Sequence, residues 1–308
     1  MNQKPLSFRS NGKLLITGEY LVLDGARALA VPTQLGQSLT IKPNSKGILH
    51  WKSYDNNGKV WFRTDLKTAP NGAIKPLEKN DIANRLAKML NAARSLNPDF
   101  LGESHGYDIK TYLEFPRDWG LGSSSTLINN LSQWAKIDPY NLLKLTFGGS
   151  GYDIACASND KSITYKLLGG DKRTISKVDF KPKFSEYIYF AYLNKKQNSR
   201  DGIALYQASP VDISEHLKTI TEITINLINS ESLSQFQKLI NLHEALISKI
   251  IGLKPVKERL FPDFNGSIKS LGAWGGDFIM VASENVPTAY FHDKGYETVI
   301  AYRDMVLG

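Results

Sequence analysis

The chain has 308 residues, enough for two domains of ordinary size. With 42% hydrophobic and 22% charged residues it reads as globular and excludes a disordered chain. Its 38 basic and 30 acidic residues give a net charge of +8, but no basic run exceeds the two residues of Lys195-Lys196, which argues against nucleic acid and suits small polyanions.

No apolar run approaches the ~20 residues needed to span a bilayer. Residues 1–18 lack the pattern of a signal peptide. The single cysteine, Cys156, excludes an internal disulfide and a cysteine-rich metal site. The expectation is a cytoplasmic protein with no membrane or nucleic-acid partner, a monomer or homodimer, in which Cys156 is a small packing residue.

In chain order, Lys13–Gly18 is apolar and β-prone and Leu39–Lys42 alternates. Leu49–Arg63 reads as a hairpin around Asn56-Asn57-Gly58. Asp81–Leu96 is an amphipathic helix, with Ile82, Leu86, Met89, Leu90 and Ala93 on one face and Asn80 or Asp81 as cap. Tyr107–Phe115 alternates as a strand and runs into Gly120-Leu121-Gly122-Ser123-Ser124-Ser125, after which Ser124–Lys136 is helical.

A second glycine turn, Gly148–Gly151, precedes Tyr152-Asp153. The texture resets after Lys172, and a boundary is placed near Lys181-Pro182-Lys183, giving domains 1–182 and 183–308. Tyr187–Leu193 is an apolar strand. Ile213–Ile228 and Leu233–Ile251 are amphipathic helices. Gly272–Gly276 is a third glycine turn, Phe278–Ala282 a strand, and Ala289–Tyr302 a helix followed by a strand.

A glycine-serine loop that opens a helix offers unpaired main-chain N–H groups at the positive end of the dipole, which suits phosphate. The same pattern also fits an ordinary serine-capped helix start. It is not a Walker A loop, because no lysine follows the second glycine, and the third glycine of a dinucleotide fingerprint is missing.

Three motifs lie far apart: Asn11–Gly25, including Lys13 and Gly18-Glu19-Tyr20; Gly120–Ser124; and Gly272–Asp277. In this order the set resembles the GHMP kinase superfamily (galactokinase, homoserine kinase, mevalonate kinase and phosphomevalonate kinase) over most of the chain. Gly149-Ser150-Gly151-Tyr152-Asp153 and Gly275-Gly276-Asp277 are most similar to the phosphomevalonate kinase branch.

The resemblance implies an α+β fold with an N-terminal mixed α/β domain and a C-terminal ferredoxin-like domain. It further implies ATP and Mg2+ as cofactors and a small anionic acceptor. Asp153 is then the catalytic base or the group that orients the acceptor hydroxyl, with Lys13 as its partner. Gly120, Leu121, Gly122, Ser123, Ser124 and Ser125 hold the ATP phosphates, and Ser124 also reaches the metal. Glu19, Ser150, Arg200, Gly275 and Gly276 serve the substrate side, Glu19 by holding the first motif. The basic stretch Lys195–Arg200 can clasp an anion or be a solvated loop, and Arg117 carries the same two readings.

Two positions depart from the superfamily pattern. Trp274 stands where a glycine is usual, an indole that narrows the site or stacks on a ligand. No acid occurs between Pro139 and Tyr152, where mevalonate and homoserine kinases carry a metal-binding glutamate. The expected reaction is phosphorylation of phosphomevalonate. Mevalonate kinase, a sugar or amino-alcohol kinase, and a catalytically silent sensor on the same fold are the alternatives. The histidines, His50, His105, His216, His243 and His292, are expected at the surface or in caps. Trp51, Trp61 and Phe62 are expected to pack in the hairpin.

Overall fold

The computed structural model describes residues 4–102 and 106–308; His105 lies outside them. Its two compact units are discontinuous in sequence. The first comprises residues 1–12, 35–117 and 122–158, and the second residues 13–34, 118–121 and 159–308.

In the first unit, β3 (Leu49–Tyr54) and β4 (Val60–Thr68) form the hairpin, and β5 (Ile74–Pro76) pairs with β4. Strand β6 (Gly106–Leu113) runs parallel to β3 and antiparallel to Gln37–Asn44 of β2 (Ala28–Asn44). Strand β1 (Leu6–Thr17) also pairs with β2. The helices are α1 (Asp81–Leu96), α2 (Ser123–Ala135), α3 (Pro139–Thr146) and α4 (Tyr152–Ala157).

Asn80 caps α1 by accepting the Ala83 N–H at 2.9 Å. The helix buries Leu86, Met89, Leu90 and Ala93 against a core containing Leu39, Trp51, Ile109, Ile128 and Leu131, while Ile82 remains 42% exposed. Each large apolar side chain sealed there contributes about 2 kcal/mol. Trp51 is buried within the hairpin, as its aromatic pattern predicts.

In the second unit, Ala28–Ala30 of β2 pair with β7 (Ile163–Leu167), and β7 pairs with β8 (Arg173–Lys177). Next come β9 (Ile188–Tyr192), α5 (Ser199–Gln207), α6 (Ser214–Ile228), α7 (Leu233–Ile251) and α8 (Val256–Leu260). The chain ends with β10 (Ser267–Ser270), β11 (Phe278–Ala282), α9 (Thr288–Asp293), β12 (Val299–Ala301) and α10 (Tyr302–Met305). Strands β10-β11-β9-β12 form an antiparallel sheet in that order. This is the ferredoxin-like arrangement.

The units differ from a single cut at residue 182. Residues 13–34 and 159–182 fall with the C-terminal part. The reason is hydrogen bonding: β7 takes the N-terminal end of β2, and Thr17 Oγ1 lies 2.7 Å from Thr224 Oγ1 on α6. The reading Leu39–Lys42 captures only part of β2, because Pro32 and Gly36 break the pattern of a strand that nonetheless continues. Pro32 has no N–H to donate, but its carbonyl accepts Leu307 N–H at 2.9 Å.

Candidate active site

Within the first unit, α2 begins at Gly122, whose φ of 89° is left-handed. A side chain in that region costs roughly 1–2 kcal/mol. The three serines that follow differ. Ser125 is buried, and its hydroxyl donates to the Gly122 carbonyl at 2.8 Å. It closes the first turn and is not directed outward as a ligand. Thr126 Oγ1 donates to Gln37 Oε1 at 2.7 Å and ties the turn to β2. Ser124 is exposed and Ser123 half-buried, so the loop presents these hydroxyls and the neighbouring N–H groups.

Asp153 sits in the first turn of α4, which starts at Gly151. Its Oδ1 is enclosed and has no hydrogen-bond partner among the described residues. Leaving such an atom unpaired costs about 1–3 kcal/mol. Ser150 is half-buried just ahead of it, and Cys156 is fully buried in the same helix, a packing residue as expected.

The second unit brings three of the sequence motifs together. The Lys13 N–H donates to the Leu121 carbonyl at 3.0 Å, joining the first motif to the glycine loop. A methyl group added at Gly120 would overlap the Asp277 carboxylate, so the third motif lies directly on the same loop. Gly120 has φ 68°, a second reason for glycine there. Trp119 packs edge-on against Phe278 with centroids 5.3 Å apart, and Tyr192 Oη donates to the Asp118 carbonyl at 3.2 Å. These contacts fix the loop's entry.

Asp277 also binds the basic segment. Its N–H donates to the Lys195 carbonyl at 2.7 Å, and its Oδ1 accepts the Gln197 N–H at 3.0 Å. Gly276 packs against the same residues. Burial pushes the Asp277 carboxyl above its usual range, and the charges of Lys13 and Lys196 partly offset this. The segment is no free loop: Asn198 caps α5 by accepting the Arg200 N–H at 3.1 Å. Arg200 is exposed in the first turn of α5.

Below the first motif lies a buried polar network. Glu19 and Lys269 form an ion pair with both side chains at 0% exposure. His243 Nε2 faces the Gly18 N–H at 3.0 Å and Glu19 Oε2 at 3.2 Å. Glu244 accepts from the Ser270 N–H at 3.1 Å and from its hydroxyl at 2.8 Å. Burial raises the Glu19 carboxyl to about 7 against the pull of Lys269, and burial holds His243 well below its usual range. Glu19 is therefore sealed beneath the first motif, and its side chain reaches no solvent.

Two expectations are corrected. Trp274 is 3% exposed and packs with Tyr20, Tyr206, Ile220 and Ile250, so the indole neither narrows a pocket nor stacks on a ligand. His243 is fully buried, not a surface or cap residue. Its sequence signal is positional: on the face of α7 that buries Phe236, Ile240 and Ile247, the adjacent pair His243-Glu244 is polar. Arg117 lies over the Trp61 ring, 3.7 Å from its centroid. Among the described residues no cluster of three or more His, Cys, Asp or Glu is placed to hold a metal, and no helix is long and apolar enough to cross a membrane.

Among the expected site residues, Gly122, Ser123, Ser124, Ser125, Ser150 and Asp153 belong to the first unit. Lys13, Glu19, Gly120, Leu121, Arg200, Gly275 and Gly276 belong to the second. Sequence reasoning did not single out Tyr20, Lys269, His243 or Asp277 as site residues.

No protein-family model and no curated protein sequence matches the chain. Solved structures do. The mevalonate kinase of Methanococcus jannaschii superposes with a TM-score of 0.70 at 17% identity, covering 96% of each chain. Streptococcus pneumoniae phosphomevalonate kinase, solved with phosphomevalonate and AMPPNP, gives 0.67 at 16% identity, covering 96% of this chain and 99% of its own. Lactococcus lactis galactokinase, solved with galactose, gives 0.66 at 15% identity, covering 100% and 94%. The fold is that of the GHMP kinases, mixed α/β with a ferredoxin-like C-terminal sheet.

Proposed function

We propose that this chain, which has the fold of the GHMP kinases, is a kinase that transfers the γ-phosphoryl group of ATP to a small anionic acceptor. The observation that carries the reading is the meeting of Lys13, Gly120-Leu121 and Asp277, drawn from three distant motifs, around one glycine loop. The Lys13 charge acts on the Asp277 carboxylate, and Gly120 leaves bare main chain beside it, an arrangement that suits a loop binding a nucleotide triphosphate.

Phosphoryl transfer needs the acceptor oxygen in line with the γ-phosphorus and the developing charge neutralised. The acceptor hydroxyl attacks phosphorus, the bond to the bridging oxygen breaks, and ADP leaves. Asp153 takes the hydroxyl proton on its unpartnered Oδ1, or orients that hydroxyl. The cationic Lys13 stabilises the transferring charge. Main-chain N–H groups from Gly120 to Ser125 receive the phosphates. The exposed Ser124 hydroxyl would be the chain's ligand to a Mg2+ ion, which would supply charge neutralisation at the phosphates. Arg200 binds a carboxylate or phosphate of the acceptor with its planar fork. Ser150 and the main chain of Gly275-Gly276 border the acceptor, while Glu19 acts from beneath by holding the first motif.

The acceptor we favour is phosphomevalonate, giving diphosphomevalonate in the cytoplasm. The Gly149–Asp153 segment and the aspartate after Gly275-Gly276 support it. The test is ADP release by the purified protein with ATP, Mg2+ and, in turn, phosphomevalonate, mevalonate, homoserine and hexoses. Phosphomevalonate should give the highest kcat/KM. A higher value for mevalonate or a sugar reassigns the acceptor, and no ADP release with any of them leaves a ligand-binding protein on a kinase fold.

A further inference from the structure

We infer that Tyr20 is a positioning residue that holds the acceptor-side helix α5 and the third glycine loop in register with each other. This rests on the reading that Arg200, in the first turn of α5, contacts the acceptor.

The observation begins with backbone strain. Tyr20 has φ 63° and ψ −51°, and the Leu21 N–H donates to the Glu19 carbonyl at 2.7 Å. That is a γ-turn of the rare, strained hand, on a bulky aromatic residue. Such strain persists only where the surroundings over-determine it. Here they do. Gly18 N–H is bound to His243, Val22 N–H to the Gly18 carbonyl at 3.0 Å, and Glu19 to Lys269.

The turn aims the ring inward, where one side chain meets two functional segments. Tyr20 Oη accepts the Trp274 N–H at 3.1 Å, in the middle of the third loop. The same oxygen lies 2.6 Å from where a Cβ on Gly202 would be, so the ring rests on bare α5 backbone two residues after Arg200. Tyr20 also stacks on Tyr206 of α5, with centroids 5.8 Å apart, and Tyr206 Oη donates to Asp24 at 2.6 Å. Core packing alone is the competing explanation. It would be met by a phenylalanine in a relaxed turn, and it does not account for a hydroxyl directed at a loop amide or for a glycine inside α5.

Two variants test this. Tyr20→Phe keeps the ring and removes the acceptor for Trp274 N–H. Gly202→Ala sets a methyl group against the ring and its hydroxyl and forces α5 and the ring apart, with the hydroxyl group itself retained. Tyr20→Phe should raise the KM for the acceptor about tenfold, with the KM for ATP within about twofold of wild type. Amide hydrogen exchange in residues 273–277 should quicken about tenfold, with the first unit unchanged. Gly202→Ala should raise the acceptor KM alike, with exchange in residues 273–277 quickened less than in Tyr20→Phe.

Wild-type exchange across residues 273–277 in Tyr20→Phe overturns the inference, as does an equal rise in both KM values. The exchange measurement needs no substrate. If the protein phosphorylates nothing, the functional reading fails, and exchange still decides the role of Tyr20.

Discussion

Glu19 and Lys269, 250 residues apart in sequence, form an ion pair that solvent does not touch. The pair joins the first motif to β10, the strand that leads into the third. Removing one partner of such a pair strands a charge in the interior, at a cost of about 3–5 kcal/mol. Lys269→Met should lower the unfolding free energy measured in urea by that amount, with a lower midpoint, and adding Glu19→Gln should recover part of it. An unchanged midpoint in Lys269→Met would contradict the buried pair.

The same network predicts two opposed pH dependences. An unfolded histidine takes up a proton as pH falls below about 6.5, whereas buried His243 does not. Its contribution to stability is full above that pH and lost below it, at about 1.4 kcal/mol per pH unit. Glu19 runs the other way. Its folded carboxyl holds a proton up to about 7, so its contribution is full below about 4.5 and fades as pH rises. In wild type the slopes oppose each other between about pH 5 and 6.5. His243→Gln keeps an acceptor for the Gly18 N–H and removes one slope. Its denaturation free energy should fall from pH 5 to 7 more steeply than that of wild type. Superimposable profiles would refute the assignment.

Gly120→Ala places a methyl group against the Asp277 carboxylate at a left-handed φ. Stability should drop by about 1–3 kcal/mol. Affinity for a non-hydrolysable ATP analogue, measured by calorimetry, should fall roughly tenfold through displacement of the phosphate loop. Unaltered binding would separate Gly120 from the nucleotide.

Asp153→Asn keeps the size of the side chain and removes its basicity. The expected result is a kcat lower by about 10²–10⁴ with ATP affinity little changed. Near-normal turnover would reject Asp153 as the base.

Arg200→Ala should raise the KM for the acceptor about tenfold and leave that for ATP nearly unchanged. Equal effects on both substrates, or none on either, would take α5 out of the acceptor site.

What the sequence made legible follows local physics. The helix over Asp81–Leu96 shows itself through the Asn80 cap and the spacing of Leu86, Leu90 and Ala93, and Leu233–Ile251 through its apolar face. The glycine loop and Asp153 are visible because their motifs are contiguous. The Glu19–Lys269 pair gives no local sign, since each residue alone looks like an ordinary surface charge. The γ-turn at Tyr20 is illegible for the opposite reason: residue identity argues against the conformation it adopts. Helix α5 hides behind the cations of Lys195–Arg200, although Asn198 was available as a cap.

The interleaved assignment of residues 13–34 to the C-terminal unit bears on how the chain matures. Gly18 leaves the ribosome 225 residues ahead of His243, which must accept its amide. At about 5–20 residues per second, that wait is on the order of ten to fifty seconds. Through that interval the apolar segment Leu14–Ile16 has no finished lodging, and fragments ending near residue 182 should be prime clients for chaperones.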